Sequence, residues 1–488
     1  MKKFAFFSIL ALGFGLASCD NDFDFPNPPG QSNPQEPIFE TANLEMTSGV
    51  NGTINLDQAN NDNALVAIAN IVSAENIPAG YELSFVGQMS ESDAFANPFE
   101  FQTSVSDNII YANPDDLDAG FHKLFNTLDP SEKTANIRYK AYAVNGSATI
   151  RLGGENVYYC PMTATMTPFN PGFTVEEEYY LIGTCTNGTI DATKAIKMTN
   201  GGGSPYDDPN FSTVVEISAD EAESGYQWAV VPLSTLTAGS GMVLAPSDVD
   251  LATDRTGYLK GYTSNEGIFA IIDEPAKFLI SVNVKAEDEL YSYSVAYAFD
   301  NLWTPGPSNG WNPAASQMLY TDNFKYYMGY VVIDTEFKFT SAPDWNHTNF
   351  GFASAGHLSS DGGAGNLKVT QDDEPFTTGL YWCTADIVAL TYTTTPINTI
   401  AIIGDATVGG WDAETVMTPS ADFLTWTLKT TLKDGEFKFR ANNDWPINLG
   451  GSLQDLTLDG ANIPAPLTGQ VTITLDLSKL PYTATVVK

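Results

Sequence analysis

The sequence predicts an all-β protein built from a series of β-sandwich modules. Short runs in which apolar and polar residues alternate are separated by turns rich in Gly, Pro and Asn, which is typical of antiparallel strands. No segment shows convincing helical periodicity over more than a turn or two. The stretch FKFTSAPDW at 337–345 returns as FKFRANNDW at 437–445, and such a repeat indicates tandem domains. A chain of 488 residues is also too long for a single core.

The first 37 residues predict an export signal and a spacer rather than a folded module. Residues 1–18 contain two lysines and then an apolar run too short to span a membrane, as in a signal peptide. The junction LASC resembles a bacterial lipobox, so we expect Cys19 to become the acylated, palmitate-bearing N-terminus; secretion with cleavage near Ala17 is the alternative. Residues 19–37 start with the acidic run DNDFD, which lacks the Gly and Glu of a calcium loop, and continue as a Pro-rich linker.

Four modules are predicted after the linker. The first, 38–170, contains short β runs such as ALVAIANIV, YELSFVGQ and NIRYKAYAV, and their spacing predicts an immunoglobulin-like sandwich. The second, third and fourth modules, at 175–298, 299–396 and 397–488, share a pattern of short alternating strands and Gly-rich turns. We therefore expect one immunoglobulin-like domain followed by three tandem β-sandwiches of a common type.

Charge and motif content exclude several classes of function. The chain has 59 acidic and 22 basic residues, a formal net charge of −37, so nucleic acids and anionic polysaccharides would be repelled. Besides Cys19 there are Cys160, Cys185 and Cys383, an odd number without CxxC spacing, so neither a disulfide framework nor a zinc site is predicted. The HExxH, GxSxG and P-loop signatures are absent, and we expect no catalytic residue, metal or cofactor. A surface glycoside hydrolase is the enzymatic alternative, because it needs only two well-placed carboxylates.

Two pairs of tryptophans are the strongest candidate binding residues. One member of each pair follows a Gly turn and the other follows an Asp in a polar loop, where a large ring is hard to bury. Two indoles set at an angle could stack on the apolar faces of pyranose rings in a curved glycan, while neighbouring Lys, Arg and Asn side chains bond the hydroxyls. The alternative is that each loop tryptophan fills the end of a sandwich and that domain duplication copied this structural residue. The predicted glycan-binding residues are Trp311, Trp345, Lys338 and Asn366 in the third module and Trp411, Trp445, Lys438, Arg440 and Asn462 in the fourth.

The second module departs from this pattern. Ile190 stands where the first tryptophan of the pair is expected, and Trp228 falls inside an apolar strand. An isoleucine offers no flat ring, so we expect this degenerate module to act as a spacer that binds glycan weakly or not at all.

With its lipobox, acidic run and tandem units of the form GW…FKF…DW…GN, the chain resembles the SusE/SusF outer-membrane lipoproteins of Bacteroidetes starch-utilisation systems. The resemblance implies a non-catalytic lipoprotein facing the cell exterior, whose spacer domain precedes carbohydrate-binding modules with the same tryptophans as stacking residues. It implies starch or another α-glucan as ligand, and a SusC-like TonB-dependent porin and a SusD-like lipoprotein as partners. Another neutral polysaccharide as ligand, and a structural or adhesive role without sugar, are the alternatives.

Overall fold

The computed structural model describes residues 43–77, 79–146, 148–247, 251–263, 269–369 and 378–488. The predicted signal peptide, Cys19 and the linker lie outside these described residues. The chain divides into two compact units, one ending at Asn170 and the other running from Pro171 to Lys488, with Thr127–Asp129 assigned to the second unit. In the described part of the chain, no helix is both long enough and apolar enough to cross a membrane.

The first module is a β structure with two helices. Its strands follow the order β1-β3-β6-β5-β4-β7-β9-β2, with β8 paired to β7. The core is formed by inward-facing residues of these strands, among them Phe85, Phe101 and Tyr139. The elements are β1 Asn43–Ser48, β2 Ile54–Asn55, α1 Leu56–Asn61, β3 Val66–Glu75, β4 Glu82–Ser90, β5 Phe99–Ser106, β6 Ile109–Ala112, α2 Pro114–Phe125, β7 Lys133–Asn145, β8 Ala148–Arg151 and β9 Tyr159–Thr167.

Helix α2 shows that the prediction of no helix longer than a turn or two is wrong. Its N-cap is Asn113, whose side chain accepts a hydrogen bond from the Asp115 backbone N–H, and Pro114 occupies the first turn. Leu117 and Phe121, four residues apart, are fully buried on one face. The helix ends at Phe125, and its C-cap residue Asn126 adopts the left-handed conformation. An Asn followed by Pro and two acidic residues is a helix-start signal that could have been recognised in the sequence.

The second module is a nine-stranded sheet with two short helices. The strand order is β11-β10-β13-β14-β15-β18-β17-β12, with β16 paired to β13. Trp228 is fully buried in its core, which confirms that this residue belongs to an apolar strand. The elements are β10 Tyr179–Gly183, β11 Ile196–Lys197, β12 Asn210–Glu216, α3 Ala219–Ser224, β13 Tyr226–Pro232, α4 Leu233–Ala238, β14 Val243–Pro246, β15 Thr256–Tyr262, β16 Ala270–Ile272, β17 Lys277–Asn283 and β18 Leu290–Tyr297.

The third module closes into a barrel and the fourth is a sandwich of two sheets. The barrel order is β19-β20-β21-β25-β26-β24-β23-β22. In the fourth module, β28-β27-β31-β32-β33 with β34 form one sheet and β29-β30-β35-β36 the other. The third module contains β19 Asn301–Trp303, β20 Met318–Thr321, β21 Tyr326–Ile333, β22 Phe339–Thr340, β23 Asn349–Ser354, β24 His357–Ser359, β25 Gly379–Asp386 and β26 Thr391–Pro396. The fourth contains β27 Ile400–Gly404, β28 Gly410–Val416, β29 Thr418–Pro419, β30 Thr425–Leu432, β31 Glu436–Ala441, β32 Asn448–Ser452, β33 Asp455–Leu458, β34 Ile463–Pro464, β35 Gly469–Asp476 and β36 Thr483–Val487.

The third and fourth modules share one apolar core. The outward faces of β21 and β25 contribute Tyr330 and Trp382 to the same buried cluster as Phe437 and Tyr482 of the fourth module. The backbone N–H of Tyr330 donates to the Tyr482 hydroxyl at 2.7 Å. The pairing of β20 with β21 joins Tyr320 to Met328 and Thr321 to Tyr327, and the Tyr330 N–H lies beyond these pairs. Burial of this extent makes the two modules one packed body rather than two domains joined by a flexible linker. The all-β prediction is thus confirmed, with a barrel in place of one sandwich.

Candidate functional site

Strand β31 separates the core of the fourth module from its candidate site. Phe437 and Phe439 are almost completely buried between the two sheets. Lys438 and Arg440 alternate with them and therefore lie on the outer face of the sheet. This alternation was predicted from the sequence, and the structure confirms it.

Two loops of the fourth module bring the paired tryptophans together. Trp411 is the second residue of β28, directly after Gly410, whose φ of +62° favours glycine. Trp445 lies in the turn that follows β31. The two ring centroids are 6.2 Å apart and the ring planes are tilted by 34°. Trp411 is 39% exposed and Trp445 is 43% exposed, so neither ring is a plug in the core. Exposed indoles in this arrangement can stack against two successive apolar faces of a bent ligand.

The third module repeats the geometry with different supports. The centroids of Trp311 and Trp345 are 6.4 Å apart with a tilt of 41°, and Trp345 is 42% exposed. The indole Nε1 of Trp345 donates to the Trp311 carbonyl at 3.2 Å, which ties the second ring to the first. Asp344 accepts from His347 Nδ1 at 2.8 Å, and this bond, with one from the Asn346 backbone N–H, lowers the pKa of Asp344 below its usual value.

A chain of hydrogen bonds lies beside the tryptophans of the fourth module. Lys438 Nζ donates to Asn448 Oδ1 at 2.7 Å. Asn448 Nδ2 in turn donates to Asp459 Oδ1 at 2.6 Å and to the Trp445 carbonyl at 2.8 Å. Because Asn448 is almost fully buried, it fixes the Trp445 turn and the Lys438 ammonium in relation to each other. The ammonium keeps further donors for a ligand hydroxyl.

The two asparagines predicted from the GN and AN turns lie beside the lysines. Asn462 is exposed and donates to Glu436 Oε2 at 3.0 Å. Ile463 pairs with Phe437, so the residue before it, Asn462, faces Lys438 across the strands. The bridge between Phe337 and Leu367 places Asn366 next to Lys338 in the same way. The structure therefore gathers the predicted residues of each module on one sheet face.

Sequence reasoning missed three polar residues of these faces. Asn448 and its counterpart Asn349 begin the strand after each tryptophan turn, and Asn349 Nδ2 likewise donates to the Trp345 carbonyl, at 3.2 Å. Glu414 bonds Arg440 and lies in β28, where the alternating strand pattern alone gives no sign of a partner. The repeated Asn three or four residues after each DW pair was a usable signal, whereas the Glu414 contact depends on the pairing of distant strands.

The second module can be aligned with the fourth through its glycine turn. Gly183 and Gly404 both have positive φ and end strands that pair in the same way, β10 with β13 and β27 with β31. Three residues later, the hydroxyls of Thr186 and Thr407 donate back to the carbonyls of these glycines at 3.1 and 2.8 Å. The matching turns fix the register between the two modules.

In this register four polar or aromatic positions of the site are apolar in the second module. Its counterparts of Trp411, Lys438, Arg440 and Asn448 are Ile190, Ala229, Val231 and Val243. The three strand residues form a buried cluster with Leu236 of α4, and Ile190 packs against it. The outer face that carries the candidate site in the fourth module is thus a second small core here.

Comparisons with known proteins identify relatives of the chain. Residues 174–296 match the family model described as SusF, first starch specific CBM. The chain is 24% identical over 441 residues to outer membrane protein SusF of Bacteroides thetaiotaomicron, covering 85% of this chain and 83% of that protein. The match to the crystal structure of SusF from the same organism covers 91% of this chain and 99% of the SusF chain. The sequence identity is 18% and the TM-score is 0.38. The resemblance predicted from the motifs is confirmed.

Proposed function

Because the chain is SusF-like over most of its length, we propose that it is a non-catalytic surface lipoprotein that captures a neutral polysaccharide, starch or another α-glucan in the first place. The observation that carries this proposal is the recurrence of a tilted tryptophan pair beside an outward-facing lysine and asparagine in the third and fourth modules. Both rings are exposed in the fourth module, whereas in the third Trp345 is exposed and Trp311 is half-buried. A helical α-glucan presents successive sugar faces at an angle, which suits rings tilted by 34° and 41°.

In this proposal the third and fourth modules each hold one open site. An open site makes few contacts to offset the loss of ligand freedom, so we expect a Kd of roughly 0.1–1 mM for short oligosaccharides. The shared core holds the two sites in one body, and a polymer long enough to reach both would gain apparent affinity by about 10²–10⁴. The second module acts as a spacer and adds no glycan affinity, because its outer face is an apolar core.

The carboxyl groups whose pKa values are shifted support a binding rather than a catalytic role. A glycosidase acid needs a raised pKa, and within the described ranges every carboxyl group with a shifted pKa has it lowered. These groups are Glu100, Glu178, Asp191, Glu221, Asp344 and Asp422. Incubation with starch separates the classes: we expect no released oligosaccharide, and their appearance would establish a hydrolase.

Native electrophoresis in gels that contain starch, pullulan, dextran, β-glucan or mannan tests the ligand class. We expect retardation by starch and pullulan, and little by β-glucan or mannan. Retardation by a β-linked glucan alone would assign the chain to another polysaccharide. Migration unchanged in all five gels would favour the structural or adhesive alternative.

The same proposal places the protein on the outer face of the outer membrane, anchored through Cys19, beside a SusC-like porin and a SusD-like lipoprotein. Cys19→Ala should yield a protein that is not acylated and fractionates as soluble. Its recovery in the detergent phase would contradict the anchor. Replacing Asp20, Asp22 and Asp24 with Ala should reduce surface exposure and leave membrane attachment intact, as measured by protease accessibility on whole cells.

A further inference from the structure

Arg440 is held by the protein in a way that an ordinary surface arginine is not. Its Nε and Nη2 donate to Glu414 Oε2 at 3.0 and 2.9 Å, and Nη2 also donates to Asn443 Oδ1 at 2.6 Å. The side chains of Arg440 and Glu414 are only 10% and 13% exposed. A charge this well buried needs a charged, hydrogen-bonded partner, and Glu414 of β28 supplies it.

The guanidinium also lies against the second tryptophan of the fourth module. Arg440 Cζ is 5.0 Å from the centroid of the Trp445 ring, within the range of a cation–π contact. An indole has two faces, and the guanidinium covers one of them. Trp445 is still 43% exposed, so part of the ring remains open to a ligand.

We propose that Arg440 is a positioning residue, which acts on glycan through Trp445 instead of donating to the sugar itself. The inference rests on the proposed function and refines the role that the sequence suggested for this side chain. Glu414 and Asn443 fix the guanidinium, and the guanidinium fixes the plane of Trp445 before any ligand arrives. A ring that is already ordered loses less rotamer freedom on binding, which improves affinity.

In the third module the second tryptophan is supported by a different contact. Thr340 faces Asn349 as Arg440 faces Asn448, so no cation stands at this position. Trp345 is held instead by its own Nε1 bond to the Trp311 carbonyl. Substitutions at Arg440 or Glu414 should therefore affect the fourth module alone.

Two substitutions in the full chain test the proposal. Both are made in a Trp311→Ala background, which removes one stacking tryptophan of the third module. Glu414→Gln loses the ion pair but leaves Arg440 in place. Arg440→Lys keeps the charge and a donor but loses the planar contact with both Glu414 and the indole. A positioning role predicts that each lowers affinity for maltoheptaose by at least about fivefold. If Arg440 donates to the sugar, Glu414→Gln frees the guanidinium and affinity stays equal or rises, and that result would overturn the proposal.

A spectroscopic measurement tests the same idea without a ligand. Two indoles 6.2 Å apart and tilted by 34° give an exciton couplet in far-ultraviolet circular dichroism. The measurement uses the Trp311→Ala background, because the third-module pair would give a couplet of its own. In that background we expect Glu414→Gln and Arg440→Lys to reduce the couplet that Trp411→Ala abolishes. A couplet that is unchanged in both variants contradicts the positioning role, whether or not the protein binds sugar. If the Trp311→Ala protein binds no sugar, the proposed function has failed, and the couplet still tests the positioning role separately.

The matched control is Glu274→Gln in the second module. Arg255 Nη2 lies 3.0 Å from Glu274 Oε2, and Arg255 Cζ lies 4.3 Å from the centroid of the Phe278 ring. The second module thus contains the same combination of carboxylate, guanidinium and aromatic ring without a tryptophan of the candidate sites. Glu274→Gln should leave both the affinity and the couplet unchanged. Changes as large as those of Glu414→Gln would mean that loss of any such ion pair perturbs the protein, and would remove the support for a local effect.

Discussion

Replacing Tyr482 with Phe removes one buried hydroxyl between the third and fourth modules. This hydroxyl accepts the Tyr330 backbone N–H at 2.7 Å, and burial raises the pKa of Tyr482 well above its usual value of 10. The phenylalanine ring retains the contacts with Tyr330 and Tyr320, whose centroids lie 5.5 and 6.3 Å away. The loss is therefore confined to one buried N–H left without an acceptor.

That loss is large enough to measure. A buried donor without a partner costs about 1–3 kcal/mol, and 2 kcal/mol corresponds to a fall of roughly 4–8 °C in Tm for a folding unit of this size. Urea unfolding gives the free energy, and hydrogen exchange followed by mass spectrometry reports on β21 and β35 separately. Because the core is shared, we expect opening free energies to fall in both strands together.

The control for this substitution is Tyr297→Phe, which removes a hydroxyl that bonds Glu274 on a partly exposed side chain. It should change stability by less than about 0.5 kcal/mol. An unchanged unfolding midpoint for Tyr482→Phe, or protection lost in β35 alone, would show that the two modules fold independently.

Three further predictions concern single modules. The isolated second module should bind maltoheptaose at least about tenfold more weakly than the fourth, because apolar residues fill its outer face; equal affinity in isothermal titration would contradict this. His347 lowers the pKa of Asp344 below 3.8, so their bond stabilises the Trp loop of the third module above that pH and is lost as the pH falls through the folded value. In a Trp411→Ala protein, binding should therefore weaken on going from pH 5 to about pH 3, and Asp344→Asn should remove this dependence. Burial raises the pKa of Cys383 well above 9, so native protein should resist alkylation there until urea unfolds it, and rapid labelling seen by peptide mapping would refute that.

The strand pattern and the tryptophan pairs could be predicted from sequence because each depends on local periodicity. Phe437 and Phe439 alternate with Lys438 and Arg440, and that alternation alone separates the core from the outer face. The helix at Pro114–Phe125 was missed because its apolar residues are few, although its capping residues were visible.

The contacts that depend on chain topology could not be predicted. Tyr482 and Tyr330 are 152 positions apart in the sequence, and they meet only because the fourth module packs against the outer face of β21 and β25. Arg440 was expected to face the ligand, but the strand order brings Glu414 beside it. Long-range pairing of this kind has no signal in a single alternating stretch.

The most direct test of glycan capture is the double variant Trp311→Ala with Trp411→Ala in starch affinity electrophoresis. Each single variant should bind the polymer more weakly while its intact site still binds oligosaccharide, and the double variant should migrate as if no starch were present. Circular dichroism and an unchanged unfolding midpoint verify that the double variant is folded. A folded double variant that starch retards as strongly as the wild-type protein would show that the tryptophan pairs are structural.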